Sequence, residues 1–252
     1  MRKKNASVLK FVQDSGGNGD IVILLHGFLA TSKYWTRVKS RLVAADYRVI
    51  TIDLLGFGKA PRPKHVDYSY DDHLEHIFGA IDALDLQKPF ILAGHSMGAL
   101  LAMRFSHQYK EGVSSLVLLQ PPLFRNADEA KNALRGTGFH YRLLLDSRLR
   151  FIAWGLIKAL PLGMLTKHSK HSRERSLASV IEAGEGISDL TKLEARTLLM
   201  VGSHDRAEYL TNIAELELES HIKLAVEPVA HHAPLRTPDL VLRHFVAFDS
   251  NK

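Results

Sequence analysis

A chain of 252 residues is long enough to bury about 70–75% of its unfolded surface, so one large domain, with room for an insertion, needs no covalent staples. The absence of cysteine excludes a disulfide framework and a thiolate metal site and fits a reducing, cytoplasmic setting. The basic start Met1-Arg2-Lys3-Lys4 leads into no apolar signal-peptide core, and no run of about 18 apolar residues offers a membrane span. The formal charge of +6 is uneven: residues 123–180 hold eleven Lys or Arg against four Asp or Glu. Such a segment either attracts anionic substrates or lipid head groups, as in weak membrane-surface contact, or is a solvated helical surface. No nucleic-acid-binding motif accompanies it.

Ser7–Val12 reads as a short edge strand, followed by the turn cluster Ser15-Gly16-Gly17-Asn18-Gly19-Asp20. Ile21–Leu25 is a continuous apolar run, the signature of a strand buried on both faces, and ends in His26-Gly27-Phe28. A helix is predicted over about Ser32–Ala44 with Thr31 or Ser32 as N-cap, then a strand at Tyr47–Ile52 ending in Asp53. After the loop Leu54–Pro63, a helix covers about Ser69–Leu84. Next come the strand Lys88–Leu92, the junction Ala93-Gly94-His95-Ser96-Met97-Gly98, and a helix from Ala99. Val113–Leu119 is a strand stopped by Pro121-Pro122.

From Leu123 to about Leu190 the alternation breaks into a basic, helical stretch without strand runs. It reads as a cap over residues 123–188, inserted between core segments 1–122 and 189–252. Strands resume at Arg196–Val201, which ends in Gly202-Ser203-His204-Asp205. A helix over Ala207–Leu218, a strand at His221–Glu227 and a helix over Pro238–Phe248 complete the chain. Regular strand–helix alternation implies an α/β fold with a mostly parallel sheet covered on both faces. Sites in such sheets gather at the carboxyl ends of strands, where His26, Asp53, Ser96 and Gln120 fall.

Gly94-x-Ser96-x-Gly98 between a strand and a helix forces a reversal in little space, which strains Ser96 and exposes its hydroxyl. A serine hydroxyl needs a base and a group to orient that base. Asp205 and His231 or His232 follow the two strands after the cap. Acyl transfer also needs oxyanion donors; the Met97 amide at a helix N-terminus and the Phe28 amide after Gly27 are the candidates. His26 either takes part or only fixes its loop.

With these motifs the chain resembles the α/β-hydrolase superfamily, in its small serine esterase and lipase-like branch. The matching residues are His26-Gly27-Phe28, Asp53-Leu54-Leu55-Gly56-Phe57-Gly58, Gly94–Gly98, Gly202–Asp205, and Ala230-His231 with Pro234 and Pro238. The resemblance implies an α/β-hydrolase fold and a catalytic Ser96, Asp205 and His231. His231 is preferred to His232 because it lies seven before Pro238. The position of an alternative acid is occupied by Gln120. The expected activity is hydrolysis of a small carboxylic ester with an apolar acyl group, without metal or organic cofactor. Phe139, Tyr141, Phe151 and Trp154, with Leu156 and Met164, would roof the acyl pocket or form plain cap core. Alternatives on the same triad are a carbon–carbon bond hydrolase, with Arg104 and the basic cap supplying charge for a carboxylate, an amidase, a thioesterase or an acyltransferase. A non-catalytic binding protein is a further one.

Overall fold

The computed structural model describes residues 9–136 and 167–250. The apolar runs fold into strands, of which the five central ones are buried on both faces and the two edge strands are partly exposed. These are β1 (Val12–Asp14), β2 (Ile21–Leu25), β3 (Arg48–Ile52), β4 (Phe90–His95), β5 (Val113–Leu119), β6 (Thr197–Gly202) and β7 (Ile222–Glu227). They form one sheet in the order β1-β3-β2-β4-β5-β6-β7, parallel throughout except that β1 runs antiparallel to β3. Side chains alternate across the strands. Ile21, Ile23 and Leu25 face one layer, whereas Val22 and Leu24 face the other. This two-sided burial is why the runs are continuous rather than alternating, at about 1.5–3 kcal/mol of stabilisation per large aliphatic side chain.

The edge strand is a correction. It occupies Val12–Asp14 rather than Ser7–Val12, because the chain turns at Lys10-Phe11, with Val12 N–H donating to Leu9 O, before it pairs Val12 with Ile52 and Asp14 with Ile50. Residues 1–8 lie outside the described residues.

One layer is built on α2 (Tyr70–Asp82) and α3 (Met97–Gln108). Ser69 and Asp72 cap α2 reciprocally: Asp72 N–H donates to Ser69 Oγ, and Ser69 N–H to Asp72 Oδ2. The opposite layer is built on α1 (Thr36–Ala44) and α9 (Pro238–Asp249). The predicted first helix begins as a 3₁₀ turn, Ser32–Trp35, capped by Thr31, so Tyr34 and Trp35 both reach the core.

Between β5 and β6 the described residues are helical: α4 (Ala127–Gly136), α5 (Lys170–Ser176), a π turn at Leu177–Ile181 and α6 (Gly186–Leu190). Arg104 on α3 forks onto Asp189 (Nε to Oδ1 3.0 Å, Nη2 to Oδ2 2.8 Å), bonds Glu185, and lies over the Tyr70 ring. It ties α3 to α6 and, among the described residues, lies outside the lining of the strand-end cavity described below, which speaks against its suggested use for a substrate carboxylate. α7 (Ala207–Ala214) stops four residues short of the expected end, since a turn from Ile213 to Leu216 folds Leu216 and Leu218 back onto the core. α8 (Ala233–Arg236) and α9 close the chain. Among the described residues no helix is long and apolar enough to cross a membrane.

Candidate active site

The turn from β4 to α3 leaves Ser96 at φ 53° and ψ −121°. For a residue with a Cβ this left-handed region costs roughly 1–3 kcal/mol and persists only where surroundings enforce it. They do so sterically. A Cβ on Gly94 would stand 2.2 Å from Gly98 O, and one on Gly98 would stand 2.3 Å from Leu25 O. β4 and α3 therefore close on each other, and α3 closes on β2, only because both residues are glycine. Ser96 N–H donates to Leu119 O at 3.0 Å, fixing the turn to the end of β5.

β6 and β7 bring two further groups to the same edge. Ser203 N–H donates to Glu227 O and His204 N–H to Val229 O, which clips the loops after β6 and β7 together. Across that junction His231 Nδ1 lies 2.7 Å from Asp205 Oδ2, and His231 Nε2 lies 3.0 Å from Ser96 Oγ. A carboxylate only accepts, so Nδ1 carries the proton and Nε2 is free to accept from the Ser96 hydroxyl. Asp205 Oδ1 accepts from Arg206 N–H at 2.9 Å. The Asp205 side chain is 7% exposed while that of His231 is 32% exposed, so the carboxylate is shielded and the imidazole opens outward.

His232 points elsewhere: its Nδ1 lies 3.3 Å from Tyr34 Oη. Burial pulls its pKa down to about 4, with the His231 ring adding to the effect, so it is neutral near pH 7. Tyr34 Oη also lies 3.1 Å from His95 Nε2, and the two rings stack at 4.7 Å. His95 Nε2 is 2.7 Å from His231 O. Burial, and secondarily the neighbouring His231, push the His95 pKa well below its usual value. A neutral His95 protonated at Nε2 then donates to the His231 carbonyl, and Tyr34 O–H donates to His232 Nδ1. Sequence reasoning missed Tyr34, whose aromatic ring in a helical pattern carries no sign of a polar task.

On the other side, His26 Nδ1–H donates to Gly27 O at 2.8 Å and Leu54 N–H donates to His26 Nε2 at 3.0 Å. Burial lowers the His26 pKa to about 4. His26 is thus a neutral brace for the Gly27-Phe28 loop. Asp53 braces the adjoining loops by accepting from Ser32 N–H at 2.6 Å and Lys59 N–H at 2.8 Å. Among the described residues the Phe28 and Met97 amides have no protein acceptor. Met97 opens α3, where unpaired N–H groups and the helix dipole favour negative charge.

Ser96, His231 and Asp205 line a cavity of about 490 Å³. Phe28 borders it beside them, with an apolar wall of Pro122, Leu134, Leu177 and Ile181 and a polar margin of His204, Arg206 and Tyr209. The π turn supplies both Leu177 and Ile181, which the sequence pattern did not single out. The expected roof residues Phe139, Tyr141, Phe151 and Trp154, with Leu156 and Met164, lie outside the described residues.

A family model described as the alpha/beta hydrolase fold matches residues 20–151. The protein named Probable lysophospholipase BODYGUARD 1, from Arabidopsis thaliana, is 31% identical over 150 residues, 57% of this chain and 31% of that protein. The 2-hydroxy-6-oxo-6-(2'-aminophenyl)hexa-2,4-dienoic acid hydrolase of Metapseudomonas resinovorans is 33% identical over 129 residues, 47% of this chain and 44% of that protein. The matches therefore take in less than half the length of these curated relatives. The solved structure of the esterase EaEST from Exiguobacterium antarcticum superposes with a TM-score of 0.73 at 25% identity, covering 94% of each chain.

Proposed function

This chain belongs to the alpha/beta hydrolase family, and from that premise we propose that it is a serine hydrolase of carboxylic esters with Ser96 as nucleophile, His231 as base and Asp205 as the acid that orients it. The observation that carries the reading is the chain of hydrogen bonds from Ser96 Oγ through His231 to Asp205, opening into a cavity with an apolar wall. His231 Nε2 takes the Ser96 proton as Oγ bonds to the ester carbonyl carbon. The carbonyl oxygen becomes an oxyanion held by the Phe28 and Met97 amides. As it collapses, the carbon–oxygen bond to the alcohol breaks and His231 returns the proton to the departing alkoxide. Water, deprotonated by His231, then releases the acid and restores Ser96. Asp205 holds the imidazole in the required tautomer and stabilises its charged form.

Leu134, Leu177, Ile181 and Pro122 favour an apolar acyl group, and the helical segment after β5 acts as the cap over it. The lysophospholipase and esterase relatives support ester cleavage. The likeness to the Metapseudomonas enzyme favours one second reading, cleavage of a carbon–carbon bond on the same serine. Hydrolysis of p-nitrophenyl esters of graded acyl length, wild type beside Ser96→Ala, tests the proposal. Activity that disappears in the variant is expected, and its length preference sizes the pocket. Full activity in Ser96→Ala refutes the reading.

A further inference from the structure

Gln120 follows β5, is 1% exposed, and adopts φ 52°, a conformation that residues with a Cβ rarely hold. Its own N–H donates to Met200 O at 2.8 Å, so the strained backbone is pinned to β6. Its carboxamide reaches the loop after β7. Nε2 donates to Ala230 O, and Oε1 accepts from Ala233 N–H at 3.1 Å. These two main-chain groups bracket His231 and His232. The approach depends on Gly202, where a Cβ would stand 2.1 Å from Val229 O and 3.0 Å from Gln120 Nε2.

The chemistry of the clamp is specific. The loop presents one carbonyl and one N–H to the same side chain, and a neutral carboxamide supplies a donor and an acceptor at fixed separation. Within regular structure such groups pair with each other; in this loop, among the described residues, they pair with Gln120. The next carbonyl, His231 O, is held by His95. A strained, buried residue whose side chain bonds the two main-chain groups flanking the base is a candidate for function rather than mere packing.

We propose that Gln120 is the positioning residue of His231: by clamping Ala230 and Ala233 it sets the distance and angle of the imidazole to Ser96. The inference rests on the proposed roles of Ser96 and His231. A displacement of about 1 Å at a reacting group costs on the order of 10²-fold in rate. Gln120→Ala therefore lowers kcat by about 10- to 100-fold with KM within about threefold, since Gln120 itself is not among the residues lining the cavity.

Gln120→Glu is the sharper variant, because it keeps size and the acceptor for Ala233 while making the donor titratable. Protonated, the new carboxyl still donates to Ala230 O. Ionised, it sets oxygen against oxygen and repels the loop. Its kcat thus falls below that of the wild type by a factor that grows as pH rises through the new carboxyl's pKa. Asp205, His95, His231 and His232 surround the loop in both proteins, so the difference between the two profiles belongs to residue 120.

The experiment is steady-state hydrolysis of p-nitrophenyl butyrate by wild type, Gln120→Ala and Gln120→Glu from about pH 5 to 9, with circular dichroism to check folding. A Gln120→Glu deficit that deepens as pH rises supports the clamp, together with a kcat loss in Gln120→Ala where that variant folds. Both folded variants within about twofold of wild type at every pH, or a Gln120→Glu deficit that is the same at every pH, overturns it. A wild type with no hydrolysis overturns the proposed function itself, and the clamp with it.

Discussion

Two turns on the same sheet edge, the Gly94–Gly98 elbow and the Pro228–Ala233 loop, are built on opposite principles. The elbow is set by sterics: glycines at Gly94 and Gly98 let backbones approach to distances where any Cβ would clash, and Ser96 has one place to go. The loop meets such a constraint at Val229, which packs against Gly202 and accepts from His204 N–H. Beyond Val229, side chains hold it from outside, with His95 on the His231 carbonyl, Tyr34 on the His232 ring and Gln120 on its flanks. A turn fixed by backbone contacts fails as a unit when altered. A turn fixed by hydrogen bonds shifts by degrees. The difference puts the proposed nucleophile on a rigid mount and the proposed base on an adjustable one.

The largest expected effect removes the meeting point of the two. His231→Ala lowers kcat by about 10⁶-fold and leaves thermal stability near that of wild type. Asp205→Asn, which reverses the imidazole tautomer while preserving shape, lowers kcat by about 10⁴-fold. Both are read from single-turnover ester hydrolysis.

The next prediction breaks the elbow. Gly98→Ala sets a methyl group against Leu25 O and His26 O, both backbone atoms that cannot step aside. A loss of about 3 kcal/mol or more in denaturant unfolding is expected, with activity falling in step. A fully stable Gly98→Ala would contradict the steric account.

On the loop side, acid acts before substitution does. His232 on this loop, and His26 across the site, are held neutral by burial, with pKa values near 4 against the ordinary 6.5. Between those values the unfolded chain binds more protons, so stability is lost as pH falls from about 6.5 toward 4. Thermal melting over this range should show the decline, and His232→Gln should make it shallower. The smallest effect is Tyr34→Phe, which removes the hydrogen bonds to His95 and His232 but keeps the ring stack. About 1 kcal/mol of stability should go, with a kcat loss below about tenfold.

The same contrast explains what could be read from the sequence. Sheet and elbow were legible because each rests on local pattern: two-sided apolar runs such as Ile21–Leu25, and Gly-x-Ser-x-Gly between a strand and a helix. Strand–helix alternation alone implied an α/β sheet with Ser96, Asp205 and His231 or His232 at strand ends, and the family resemblance supplied the α/β-hydrolase fold and the choice of His231. The braces were not legible. Tyr34 reads as a core aromatic, and Gln120 reads as the residue where an acid is missing. Their partners lie 61 and 110 residues away, at His95 and Ala230. Leu177 and Ile181 escaped notice because a π turn, which no periodicity announces, brings them to the cavity. The edge strand slipped to Val12–Asp14 because a turn at Lys10-Phe11, with no glycine or proline to mark it, delays the pairing.

The most direct test of the central claim is labelling of the folded protein with a fluorophosphonate, followed by peptide mass spectrometry. The account predicts one adduct per chain, on Ser96, that forms quickly in wild type and is abolished or slowed at least about 10³-fold in His231→Ala. An adduct on another residue, or equal labelling of Ser96 without His231, would contradict it.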